Sequence, residues 1–217
     1  MLAALAALRW LPKHDPRRNP GDDEKGFLKL LARPDLLRPY AATFSSMFVF
    51  SSMFNYMPFY LAGPPFQAST NTITLMYLSY LMGVVTGPLA GKAANRLGGG
   101  LSMAAGAVVF ALAMGLSLLP SLLAMGLSLT LVCAGHFTVH AVAAGALNSR
   151  LAHSQGRANS LYVLFYYLGA WCGITLSGWA YGWAGWPAVA ALGFAVLGAP
   201  LAIGLWERRL ALANGRS

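Results

Sequence analysis

Charge is scarce in this sequence. Asp, Glu, Lys and Arg make up 10% of its 217 residues, where an ordinary soluble domain carries about 25%. Acids are the scarcest: Asp35 and Glu207 are consecutive, with none between them. A fold surrounded by water cannot keep charge-free runs of that length, which argues against a cytosolic enzyme and a secreted disulfide scaffold. Cysteine is nearly absent. Cys133 and Cys172 both lie in apolar runs, where a thiol serves as a small packing residue. The formal charge of +9 would suit nucleic acid, but the cations are spread in a pattern that reports membrane topology, so no nucleic-acid partner is expected.

Apolar residues are what the chain has in abundance, 57% of the total, with a mean hydropathy of +0.57. A helix needs about 20 apolar residues to cross the hydrocarbon core. Six charge-free runs fit: 40–61, 73–90, 101–119, 122–147, 161–181 and 188–206. None alternates in polarity as a transmembrane barrel strand would. The expected fold is an all-α integral membrane bundle of six helices. Turn chemistry stands at the breaks: Gly63-Pro64-Pro65, Gly98-Gly99-Gly100, Pro120 and Gly185-Trp186-Pro187. Lys and Arg precede span one, separate spans two and three and spans four and five, and follow span six; the alternate loops have none. The positive-inside rule therefore puts both termini in the cytoplasm.

Residues 1–10 are apolar but too short to span, and read as the end of a preceding helix. Residues 11–38 read as a cytoplasmic linker, in which 22–37 form either a short amphipathic surface helix or a solvated loop. Residues 39–209 are the six-helix domain and 210–217 a cytoplasmic tail.

Small residues recur at four-residue spacing in span two (Gly83, Gly87, Gly91) and span five (Gly169, Gly173, Ser177), which lets helix backbones approach closely. Pro58, Pro88 and Pro200 lie within spans and can kink them. Spans three and six are almost wholly apolar and are expected to face lipid. Polar groups in a bilayer are costly and face a protein interior or a wet cavity. They gather in span one (Ser51, Ser52, Asn55, Tyr56), span four (His136, Thr138, His140) and span five (Asn159, Tyr162, Tyr166, Tyr167), so these three spans are expected to line a polar cavity.

The candidate substrate-binding residues are Asn55, Tyr56, His136, His140 and Tyr166. His136 and His140 stand at i, i+4 on one helix face. Phe137 occupies the place where a metalloprotease would need Glu, and no membrane carboxylate offers a third ligand, so no metal is expected. Two readings remain: a cavity pair that binds substrate or carries protons, or two imidazoles hydrogen-bonded to neighbouring helices. Asn55 can contact substrate or join helices. Tyr162, near the cytoplasmic end, reads as an interfacial anchor. No nucleophile–base pair, phosphate loop or cofactor motif is present, and no enzyme is expected. A cavity of histidines, an amide and tyrosines favours neutral polar or aromatic solutes over strong cations.

The segment Gly87-Pro-Leu-Ala-Gly91-Lys92-Ala-Ala-Asn95-Arg96-Leu-Gly98 resembles the loop motif that the major facilitator superfamily repeats after the second helix of each half. Lys92 and Arg96 match its basic positions, and Gly91 stands where it usually has an acid. Residues 156–169, from Gly156-Arg157 to Gly169, with Tyr181-Gly-Trp-Ala-Gly-Trp186, are similar to helix eleven and its exit in bacterial sugar- and drug-efflux permeases of the arabinose-efflux type. The resemblance covers about residues 1–209 and makes the six spans helices seven to twelve. It implies one half of a transporter, built as two inverted three-helix repeats. It also implies a bacterial inner-membrane location, efflux of a small solute by proton antiport, and a gating role for Gly87, Gly91, Lys92, Arg96 and Arg157. Alternating access needs a second half. The expected partner, besides lipid, substrate and protons, is thus the missing amino-terminal half or a second copy of this chain. The alternatives are a homodimeric half-transporter and a six-helix assembly partner that moves no solute.

Overall fold

The computed structural model describes residues 26–151 and 155–215. The expected helix end at 1–10 and most of the expected linker lie outside the described residues. Within them the chain is helical throughout, without strands. A short α1 (Phe27–Leu31) precedes α2 (Pro34–Ala62). Then come α3 (Thr70–Met76), a 3-10 segment (Tyr77–Leu81) and α4 (Met82–Leu97), which run on as one rod. α5 (Gly99–Leu116), α6 (Leu122–Ser149) and α7 (Gln155–Ala213) complete the bundle. α7 breaks at Ala184 and Gly185 (φ +65°), so its limbs 155–183 and 186–213 are two passes. With α2, the 70–97 rod, α5 and α6 this gives six passes.

Among the described residues, four helices are both long and apolar enough to cross a membrane: 70–97, α5, α6 and α7. α2 has the length, 29 residues or about 44 Å, but not the hydropathy. Its residues Ser51 and Ser52 are hydrogen-bonded inside the bundle instead of facing lipid. Ser51 Oγ donates to the carbonyls of Phe48 (3.0 Å) and Ala170 (3.2 Å), and Ser52 Oγ to those of Phe48 (2.7 Å) and Gly173 (3.1 Å).

Two expected boundaries shift. The linker was placed through residue 38, yet α2 begins at Pro34. Proline suits the first turn, where no amide bond is lost, and Asp35 sits favourably at the positive end of the helix. Asp35 also pairs with Arg33 at 2.6 Å, and the guanidinium holds its carboxyl below the usual carboxylate range. The 87–98 motif, read as a loop, is helical through Leu97. Only Gly98 (φ +84°) turns, in a conformation that glycine adopts without strain.

Glycine sets the closest crossings. α2 runs parallel to the first limb of α7. Gly169 and Gly173 lie on the backbone of Phe44 and Phe48, leaving no room for a Cβ. Gly204, on the second limb, crosses α5 so closely that a Cβ would sit 2.6 Å from the Ala104 nitrogen. Gly135 meets Phe110 where α6 crosses α5. The core between α2, α5, α6 and α7 is filled by Phe48, Val49, Met53, Phe110, Met114 and Leu129, all buried. α4 takes little part, and Val84 on its outer face is 74% exposed.

Candidate functional site

A cluster of polar groups forms where α2, α6 and the first limb of α7 meet. His136 lies at the midpoint of α6, and His140 about 6 Å further along it. His136 Nδ1 shares a 2.9 Å hydrogen bond with Ser46 Oγ. Its ring stacks on Phe50 at 4.1 Å and meets Phe137 edge-on at 5.2 Å. It is 1% exposed. His140 is half-buried. Its Nδ1 lies 3.1 Å from Tyr162 Oη and 3.5 Å from Thr43 Oγ1. The two imidazole centroids are 5.9 Å apart. Tyr166 joins them, at 6.3 Å from His136 and 5.3 Å from His140. An aromatic wall continues through Phe50 and Phe54 to the part-exposed Tyr80 and Tyr77.

Of the five cavity candidates, His136, His140 and Tyr166 therefore come together. Asn55 and Tyr56 do not. Asn55 lies nine residues beyond Ser46, about 14 Å along α2, exposed, with Nδ2 donating to the Ser51 carbonyl at 2.8 Å. Tyr56 joins helices: its hydroxyl donates to the Ile174 carbonyl at 2.8 Å and its ring stacks on Tyr181. Tyr162, read from sequence as an interfacial anchor, is buried against His140. Ser46, Thr43, Phe50 and Tyr162 are the site's partners that sequence reasoning missed. Spacing along one helix identifies a shared face, but only the register between helices identifies what that face meets.

A second cluster sits at the end of the bundle where α2 starts and α6 ends. Glu207 takes two cations: Arg38 Nε at 2.8 Å from Oε1 and Arg150 Nη2 at 2.8 Å from Oε2. The Arg38 contact has the distance of an ion pair without the alignment of a hydrogen bond. Arg150 Nη1 also donates to the Asp35 carbonyl. Beside this knot is a cleft of about 440 Å3, lined by Gly91, Asn95, Gly99, Gly100, Gly145 and Ser149 among others. Of the motif candidates, Gly91 borders this cleft, Gly87 faces open space, and Lys92 and Arg96 are exposed. Arg157 is half-buried near the start of α7. Glu207 and its two partners lie far apart in sequence, and only their membership of charged flanks was legible there.

A profile of the Major Facilitator Superfamily matches residues 1–170. The chain belongs to that superfamily, whose members are transporters and not enzymes, and it is a multi-pass membrane protein. Among similar proteins is the inner membrane transport protein YnfM of Escherichia coli (strain K12), 36% identical over 156 residues, 70% of this chain and 37% of YnfM. An uncharacterized transporter of Buchnera aphidicola subsp. Schizaphis graminum is 29% identical over 146 residues, 67% of this chain and 35% of that protein. The uncharacterized MFS-type transporter YybF of Bacillus subtilis is 27% identical over 120 residues, 55% of this chain and 30% of YybF. The chain thus spans about a third of the length of the curated relatives it matches.

Proposed function

We propose that this chain supplies the carboxy-terminal half of a bacterial inner-membrane transporter that expels a small solute in exchange for protons. Both termini lie in the cytoplasm in this reading, and residues 39–209 form the half that rocks against its partner. The observation that carries it is the His136–His140–Tyr166 cluster: uncharged polar and aromatic side chains from three helices meeting near the middle of an apolar bundle, where a superfamily solute site lies. The relatives' transport names, the cations gathered near one end, and the motif residues Gly91 and Asn95 beside the cleft support it. The wall of rings and hydroxyls, with no acid among the described membrane residues, suits a neutral polar or aromatic solute better than a strong cation.

The partner is the missing amino-terminal half. A second copy of this chain is the rival, favoured by the open stripe on α4, where Gly87 and Gly91 have nothing against them. Inside-out vesicles carrying the chain, with and without the complementary half, test the reading with two labelled probes, arabinose and tetraphenylphosphonium. Accumulation of arabinose driven by an acidic interior is expected with both halves present. Flux by the chain alone would favour the homodimer, selective flux of the cation would overturn the solute class, and no flux of either probe would favour a non-transporting assembly partner.

A further inference from the structure

The geometry points to His140 as the proton-exchanging group of this half, with the Tyr162 hydroxyl as the rotor that lets the ring change charge without losing its hydrogen bond. This rests on the antiport reading and names the residue that carries the proton. Antiport needs a group that gains and loses a proton near neutral pH. Between Asp35 and Glu207 there is no carboxyl group. Tyrosine, cysteine and lysine hold their protons at that pH and arginine never releases its own. The histidines remain, and the structure separates the two within the bundle. His136 is sealed by Phe50 and Phe137 with Ser46 as its hydrogen-bond partner. An imidazolium there would be stripped of water, with aromatic rings around it and one serine hydroxyl offered to Nδ1.

His140 is built differently. Tyr162 Oη lies 3.1 Å from His140 Nδ1 and also 3.1 Å from the His140 carbonyl oxygen. A phenol has one proton to donate and lone pairs to accept with. When Nδ1 is bare, the hydroxyl donates to it. When Nδ1 carries a proton, the ring donates to Oη and the hydroxyl turns its own proton to the carbonyl. The Nδ1–Oη pair keeps its hydrogen bond in both states, and Thr43 Oγ1 at 3.5 Å is a further acceptor for Nδ1–H. The step is the transfer of one proton from water to the ring, giving imidazolium, and its return to water. No other bond changes. The titratable groups facing His140 are His136 from its own helix and Tyr162 and Tyr166 from α7; α2 presents Thr43. Arg150, the nearest charge along α6, is about 15 Å away. The hydrogen bonds of the ring come from α2 and α7, so a shift of α7 against α6 separates Tyr162 from His140. The protonation state then biases the helix arrangement, and the reverse follows by linkage.

The test is 15N spectroscopy of histidine side chains in the full chain, embedded in lipid nanodiscs, with His14→Gln and His153→Gln to leave two signals. Histidine changes charge between about pH 5 and pH 8 when accessible. The His140 ring, half-buried, is expected to pass from the neutral to the imidazolium pattern toward the acid end of that range, while His136 keeps its neutral pattern. Tyr162→Phe keeps the packing ring and removes the rotor, so exchange of the Nδ1 proton with water is expected to quicken about tenfold. A His140 ring neutral throughout, a His136 ring that charges in its place, or unchanged exchange in Tyr162→Phe would overturn the assignment. If His140 stays neutral while arabinose flux still follows the pH gradient, this inference fails and antiport stands. If His140 takes its proton while flux ignores the gradient, the proton site stands and antiport fails.

Discussion

Two stripes of small residues at the same four-residue spacing have opposite fates in this molecule. Gly169, Gly173 and Ser177 lie in a closed seam: the glycines rest on the α2 backbone and Ser177 Oγ donates to Ser52 Oγ at 2.8 Å. Of Gly83, Gly87 and Gly91, the first meets Phe137 and the other two meet nothing. The motif says that a backbone can approach, not that one within this chain does. A stripe closed within the chain is structural, and a stripe left open has no backbone of this chain against it.

The comparison can be broken by filling each stripe. Gly173→Leu places a side chain against the Phe48 carbonyl, in a seam that cannot open without moving α2. Overpacking of this kind costs about 3 kcal/mol or more, and the expected result is loss of the folded bundle in thermal unfolding followed in detergent. Next in size is Glu207→Gln, which leaves Arg38 and Arg150 without their shared acid. About 2 kcal/mol should be lost, and part should return when Arg38→Gln is added, a double-mutant comparison that shows whether helix ends or the seam hold the bundle. Ser52→Ala removes the hydroxyl that Ser177 uses and that bonds the Gly173 carbonyl. It should cost about 0.6–1.7 kcal/mol, the range of hydrogen bonds between membrane helices.

Acid sharpens the contrast between the seam and the exposed start of α2. The carboxyl of Asp35 is held below its usual range by Arg33, so its contribution is present above about pH 4 and falls away as pH drops through the lowered folded value. For an exposed pair the effect is a few tenths of a kcal/mol, and Asp35→Asn should abolish that part of the pH dependence of unfolding. Gly87→Leu should do least: with open space before it, unfolding of the isolated chain should be unchanged within about 0.5 kcal/mol, while association with a second bundle should be lost.

Six passes were legible because a helix that crosses lipid is predominantly apolar and carries almost no charge, and Gly63, Gly98, Pro120 and Gly185 mark the turns. The start of α2 was not, because Arg33, Asp35 and Arg38 look like linker charges until Arg38 is seen paired to Glu207 across the bundle. The i, i+4 spacing brought His136 and His140 to one face. It could not tell the ring sealed by Phe50 from the ring that meets Tyr162, because that difference lies in the register of α2 and α7 against α6. Tyr56 shows the same limit: its face was identified, but not the neighbour whose carbonyl it bonds.

The open α4 stripe is the most direct test of the claim that this chain is one of two bundles. A photo-reactive benzoylphenylalanine placed at Gly87 and activated in native membranes should form an adduct with protein, either an amino-terminal six-helix half or a second copy adding about another 23.0 kDa. Adducts with lipid alone would contradict it, and would make the stripe an ordinary lipid-facing surface.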